Sequence, residues 1–125
     1  MFTAAFMPTQ LKTYSAPTGY VYQYYFVGQR PALTDDPEFP STEYVFDVTS
    51  DRKTTFAVSI FVPPHALGHW AVHRGRKLTE PEQYAGVKLR LLRGFDEITD
   101  MLREGRRLRL DGELLIELLD SIGVD

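Results

Sequence analysis

The stretch EYVFDVTSDRKTTFAVSIFV, Glu43 to Val62, decides the fold. Two runs rich in β-branched and aromatic residues, Glu43–Thr49 and Thr54–Val62, flank Ser50-Asp51-Arg52-Lys53, a polar quartet of hairpin-loop length. The spacing predicts an antiparallel hairpin. A strand alternates its side chains. Tyr44, Phe46, Val48, Phe56, Val58, Ile60 and Val62 therefore fall on one face, and Val45, Asp47, Thr49, Thr55, Ala57, Ser59 and Phe61 on the other. The first face reads as core. The second is half polar and is expected to meet water or a partner.

Upstream, Tyr20–Val27 (YVYQYYFV) reads as a third strand bounded by Pro17, Gly19, Gly28 and Pro31. It adds Tyr20, Tyr22, Tyr24 and Phe26 to the core face, and Val21, Gln23, Tyr25 and Val27 to the other. Residues 28–42, GQRPALTDDPEFPST, hold three prolines and three acids, a composition that predicts a long mobile loop.

Downstream the apolar period changes from two to 3.6. Pro63-Pro64 ends the hairpin and opens a short helix from about Pro64 to Arg74, stopped near Gly75. Thr79-Glu80-Pro81-Glu82 has the form of a capping box. Behind it Tyr84, Val87, Leu91, Phe95, Ile98 and Leu102 make one stripe, predicting a helix that runs through Leu102 and ends at Gly105. Gly94 borders the stripe, where another backbone can approach closely. Asp111 is a candidate N-cap for a last helix over 112–122, in preference to a hairpin turning at Asp111-Gly112. Apolar residues cover about 200° of that helix, more than one packing contact requires. It is either wedged inside its own chain or shared with another.

The fold class expected is α+β: a small antiparallel sheet of about three strands, including the 43–62 hairpin, with two or three helices packed on one face. The 125 residues fit one domain, 1–125. With 43% hydrophobic and 25% charged residues the chain has the composition of a folded soluble domain. No cysteine is present, which excludes disulfides, thiolate metal sites and cysteine nucleophiles and suits a cytoplasmic protein. No apolar run is long enough to predict a membrane span, and the N-terminus does not read as a signal peptide.

The formal charge of -3 is unevenly spread. Residues 72–109 hold ten Lys and Arg against six acids, while residues 110–125 hold five acids and no base. A basic middle before an acidic tail points to a partner or to the tail folding back. With no recognised nucleic-acid motif, the composition argues against nucleic acid as the principal partner, though the basic segment keeps a nucleic-acid accessory role as one alternative.

Three constellations are candidates for chemistry. All three histidines recur at i, i+4, i+8 as His65, His69 and His73. An i, i+4 pair can hold a transition metal, so His65 and His69 are the candidate metal ligands. The plainer reading is of solvated residues, because Ala66, Leu67, Trp70 and Ala71 define the apolar face of that helix. Gln23, Tyr25, Asp47 and Ser59 share the half-polar sheet face and form a candidate binding surface. Ser59, Asp47 and a histidine would supply the residue types of a nucleophilic triad, but no nucleophile elbow, phosphate loop or dinucleotide fingerprint is present. The sequence therefore favours a non-enzymatic binding or assembly module without a cofactor, self-associating as a homodimer, over a metal-binding protein or enzyme using His65 and His69.

Overall fold

The structure is a computed structural model that describes residues 3–4, 10–32 and 40–125. Among these lie six strands: β1 (Thr3–Ala4), β2 (Lys12–Ser15), β3 (Val21–Pro31), β4 (Thr42–Thr49), β5 (Phe56–Val62) and β6 (Arg107–Arg109). Four helices complete the chain: α1 (Pro64–Arg74), α2 (Glu80–Glu97), α3 (Met101–Glu104) and α4 (Gly112–Asp120). The fold class is α+β. The sheet runs β1-β3-β4-β5-β6, with β2 pairing along the same strand β3.

Strands β4 and β5 form the expected hairpin, with Phe46 opposite Val58 and Tyr44 opposite Ile60. Its loop is set by Asp51, whose carboxylate accepts the backbone N–H groups of Lys53 and Thr54, each at 2.8 Å. The sheet is larger than three strands, and it is mixed. Strand β6 lies parallel to β5, pairing Leu108 with Ile60. This corrects the reading of the sheet as about three antiparallel strands. Three residues are too few for a period-two signal, and parallel pairing leaves no turn motif in the sequence. Arg107–Arg109 is a strand, but its partner lies nearly fifty residues away rather than across Asp111-Gly112.

The loop expected over 28–42 is shorter at both ends, because Gly28–Pro31 continues β3 and Thr42 begins β4. The Ala32 amide donates to the Ser41 carbonyl at 2.8 Å and closes the pair. Its expected mobility falls on residues 33–39, outside the described residues. A bulge lies between the pairs Phe26–Phe46 and Gly28–Val45. One extra residue on β3 inverts the alternation, so Arg30 comes to face Glu43 on the side opposite Tyr24 and Phe26.

The core lies between the sheet and the helices. Tyr22, Tyr24, Tyr44, Phe46, Val48, Phe56, Val58, Ile60 and Val62 meet Trp70 of α1, Val87, Leu91 and Phe95 of α2, and Leu115, Leu118 and Leu119 of α4. Helix α1 forms over the expected span and closes on Gly75 in the left-handed region at φ 76°. Helix α2 starts at the reciprocal Thr79–Glu82 capping box. It ends at Glu97, not past Leu102. Ile98 and Thr99 are β-branched, and the Asp100 carboxylate accepts the Arg103 amide to start the separate turn α3. The break turns Met101 into the core and leaves Leu102 45% exposed.

Gly94 does admit a close neighbour: a Cβ there would stand 2.8 Å from Leu108 Cδ1. Helix α4 begins at its Asp111 cap, whose carboxylate accepts the Leu114 amide at 2.8 Å. It ends at Asp120 rather than at 122; Leu115, Leu118 and Leu119 of its apolar arc are buried within the chain, between α1 and α2, while Ile122 beyond its end is 51% exposed.

Candidate functional site

The sheet face turned away from the helices carries the residues singled out for binding, and the structure sorts them into two groups. Asp47 lies opposite Tyr25 in the β3–β4 register. The Tyr25 hydroxyl donates to Asp47 Oδ2 at 2.6 Å. This hydrogen bond, with burial and the charge of Asp47, holds the Tyr25 phenol above its ordinary value. Tyr25 is thereby kept as a neutral donor and ring.

Ser59 belongs to a different group. It is opposite Val45 and donates to Glu43 Oε2 at 2.6 Å. Glu43 also accepts Arg30 Nε at 2.9 Å. Burial raises the Glu43 carboxyl, but hydrogen bonds from Arg30 and Ser59, with the charges of Arg30 and Arg107, outweigh it and leave the group below its ordinary value. Gln23 sits opposite Thr49, two residues along β3 from Tyr25. Tyr25 and Asp47 are thus brought together, Gln23 flanks them, and Ser59 is separated from them. No triad joins Ser59 to Asp47, since each is engaged by another partner.

Arg30 and Glu43 are the functional-face residues that sequence reasoning missed. Arg30 falls in the loop expected over 28–42, and alternation carried on past Val27 would put it with Tyr24. Gly28 in mid-strand was the available signal, because glycine inside a strand marks bulges.

Around these polar groups the face is apolar. Val45 and Phe61 are buried but lie outside the main core cluster. Arg107 lies over the Phe61 ring, 4.5 Å from its centroid. Val27 is half-buried, Val21 is 45% exposed, and Leu11, which continues the β2 register toward Tyr25, is 57% exposed.

The histidines are elsewhere and all three are exposed on α1. His65 and His69 line a pocket of about 390 Å³ with Asp111, Gly112 and Glu113. His65 Nε2 is 3.3 Å from Arg109 Nη2, and the His69 ring packs so closely on Gly112 that a Cβ there would meet it at 2.7 Å. Among the described residues no three His, Cys, Asp or Glu side chains are grouped to hold a metal ion.

The acidic tail folds back on the basic middle. Arg93 pairs with Glu117 at 2.6 Å, Arg74 pairs with Asp120, and Arg76 contacts the Asp125 carbonyl at 3.2 Å. Arg76 also grips Glu82 through two 2.9 Å bonds. That guanidinium, with the Thr79 amide, holds the Glu82 carboxyl at about 2. A carboxyl depressed in the folded state stabilises the protein above the unfolded-state value and loses that contribution as pH falls through the folded one. Glu82 and Glu43 share this sign. Thermal midpoints of the wild type should therefore fall between about pH 4.5 and about pH 2. In Glu43→Gln/Glu82→Gln the fall should be shallower, and an equally steep fall would show that these pairs do not shape acid stability.

No helix among the described residues is long and apolar enough to cross a membrane. Comparison with protein-family models, with curated proteins and with solved structures finds no match.

Proposed function

We propose that the protein is a small binding and assembly module that pairs with a second copy of itself through the helix-free face of its sheet. The observation that carries this reading is that Leu11 and Val21 are exposed on the same side of the sheet as the half-buried Tyr25, on a face that none of the helices among the described residues covers. A twofold pairing needs one self-complementary patch. This face carries both signs of charge, Arg30 and Arg107 beside Glu43 and Asp47, so a rotated copy can set unlike charges together.

The hydrogen bonds described above favour binding over catalysis, since Tyr25, Asp47, Ser59 and Glu43 are mutually satisfied. The burial of Leu115, Leu118 and Leu119 within the chain itself supports the sheet, rather than those residues of α4, as the interface. A charge at an exposed apolar position of this face should break the pairing without unfolding the protomer, as a buried unpaired charge is costly. Val21→Arg is expected to shift size-exclusion light scattering from dimer to monomer while leaving the thermal midpoint within a few degrees. A Val21→Arg dimer of wild-type affinity would remove the sheet face from the proposal.

A further inference from the structure

We propose that the cavity between the start of β3, the β4–β5 loop and α3 binds a short alkylammonium group, with Tyr22 and Asp100 holding the nitrogen and Tyr20 and Leu102 flanking its stem. The cavity has a volume of about 120 Å³, and Tyr20, Tyr22, Phe56, Asp100, Met101 and Leu102 are among the residues that line it. Tyr22 alternates with Val21 along β3. The cavity therefore opens on the helix side of the sheet, away from the face assigned to the second copy.

Tyr22 is the residue that marks a ligand site. It is only 2% exposed, yet its hydroxyl makes no hydrogen bond among the described residues. Its ring is held by the stack on Phe95, with centroids 4.1 Å apart. Burial raises the phenol above its ordinary value, and the charges of Tyr20 and Asp100 raise it further. Those two groups share the cavity with Tyr22, so its hydroxyl looks into that space rather than into the core. A polar group this buried and without a partner is costly, and a ligand that hydrogen-bonds it removes the cost.

Asp100 sets the sign of the ligand. Its Oδ1 accepts the Arg103 amide at 3.2 Å to start α3, and its Oδ2 accepts no hydrogen bond among the described residues. A phenol oxygen and a carboxylate oxygen on one space suit a positive group with several N–H donors, and the carboxylate repels an anion. Neither Arg103 nor Arg106 lines the cavity. The Arg106 guanidinium lies 5.6 Å from the Phe56 centroid and its Nε donates to the Ala57 carbonyl, so Phe56 serves as a wall. Tyr20 and Leu102, each 45% exposed, give the rim an apolar surface that fits methylene groups, and an aromatic ring beside a cation adds attraction. A protein cavity of about 150 Å³ accepts benzene, so this one accepts roughly five non-hydrogen atoms. Butylammonium has that size, as does a lysine side chain beyond its Cα.

The test is methyl NMR of the full chain labelled at methionine, with n-butylammonium chloride as the probe and n-butanol as its neutral counterpart. Met101 lines the cavity, and its methyl resonance should shift saturably. A Kd of about millimolar order is expected for so small a ligand. Butanol should bind about tenfold more weakly or worse. Asp100→Asn keeps a side chain able to cap α3. It should weaken butylammonium about tenfold and leave butanol within about twofold. Tyr22→Phe should weaken butylammonium roughly fivefold without lowering the thermal midpoint, and it decides the matter if Asp100→Asn misfolds. Tighter binding of Nα-acetyl-lysine methylamide than of butylammonium assigns the site to a lysine of a protein, and weaker binding assigns it to a free amine. No saturable shift up to about 50 mM butylammonium would overturn the proposal. Equal affinity for butanol, or tighter binding of butyrate, would overturn it as well.

Discussion

Phe95→Ala is expected to cost about 3–5 kcal/mol in chemical denaturation, the range for deleting a fully buried aromatic side chain. Phe95 has no exposed surface. Its ring stacks on Tyr22 with centroids 4.1 Å apart and planes 6° from parallel, and it meets Tyr24 at 5.8 Å and Tyr14 at 6.0 Å. It therefore joins α2 to both β2 and β3. Tyr14 is further tied to α2 because its hydroxyl donates to Asp96 at 2.6 Å. Removing the ring opens a cavity bounded by three tyrosines, all of them fixed in strands, and such walls collapse little. A loss below about 1 kcal/mol would mean that α2 is rotated from the phase described here.

Leu118→Asp is expected to unfold the protein or bring it to the edge of unfolding. The side chain is 4% exposed, in the wedge that α4 makes between α1 and α2. Burying an unpaired carboxylate there, with the loss of the leucine, costs several kcal/mol, a large share of the total stability of a domain this size. The effect should be independent of protein concentration, since the wedge belongs to one chain. A well-folded Leu118→Asp monomer would instead place this surface between chains.

The long-range features were the least legible in the sequence. The hairpin, α1, the α2 capping box and the Asp111 cap could be read because each is specified by neighbours within a few residues: Thr79 and Glu82 bond each other, and Gly75 ends its own helix. Strand β6 could not be read, because Leu108 is a strand residue only by virtue of Ile60. The end of α2 was misplaced because Leu102 continues the apolar spacing as well as Met101 does, and only the Asp100 cap separates the two. At the candidate site, alternation brought Tyr25 and Asp47 to one face and their hydrogen bond follows from register. Arg30 fell within the loop expected over 28–42, and only the continuation of β3 past the bulge at Val27 brings it opposite Glu43, so the Arg30–Glu43–Ser59 group was hidden.

The account's central claim is that the helix-free face joins two copies of the chain. Sedimentation equilibrium of the wild type at tens of micromolar tests it most directly. A concentration-dependent mass approaching that of two 14.3 kDa chains is the predicted result. A single species at the mass of one chain throughout that range would contradict it.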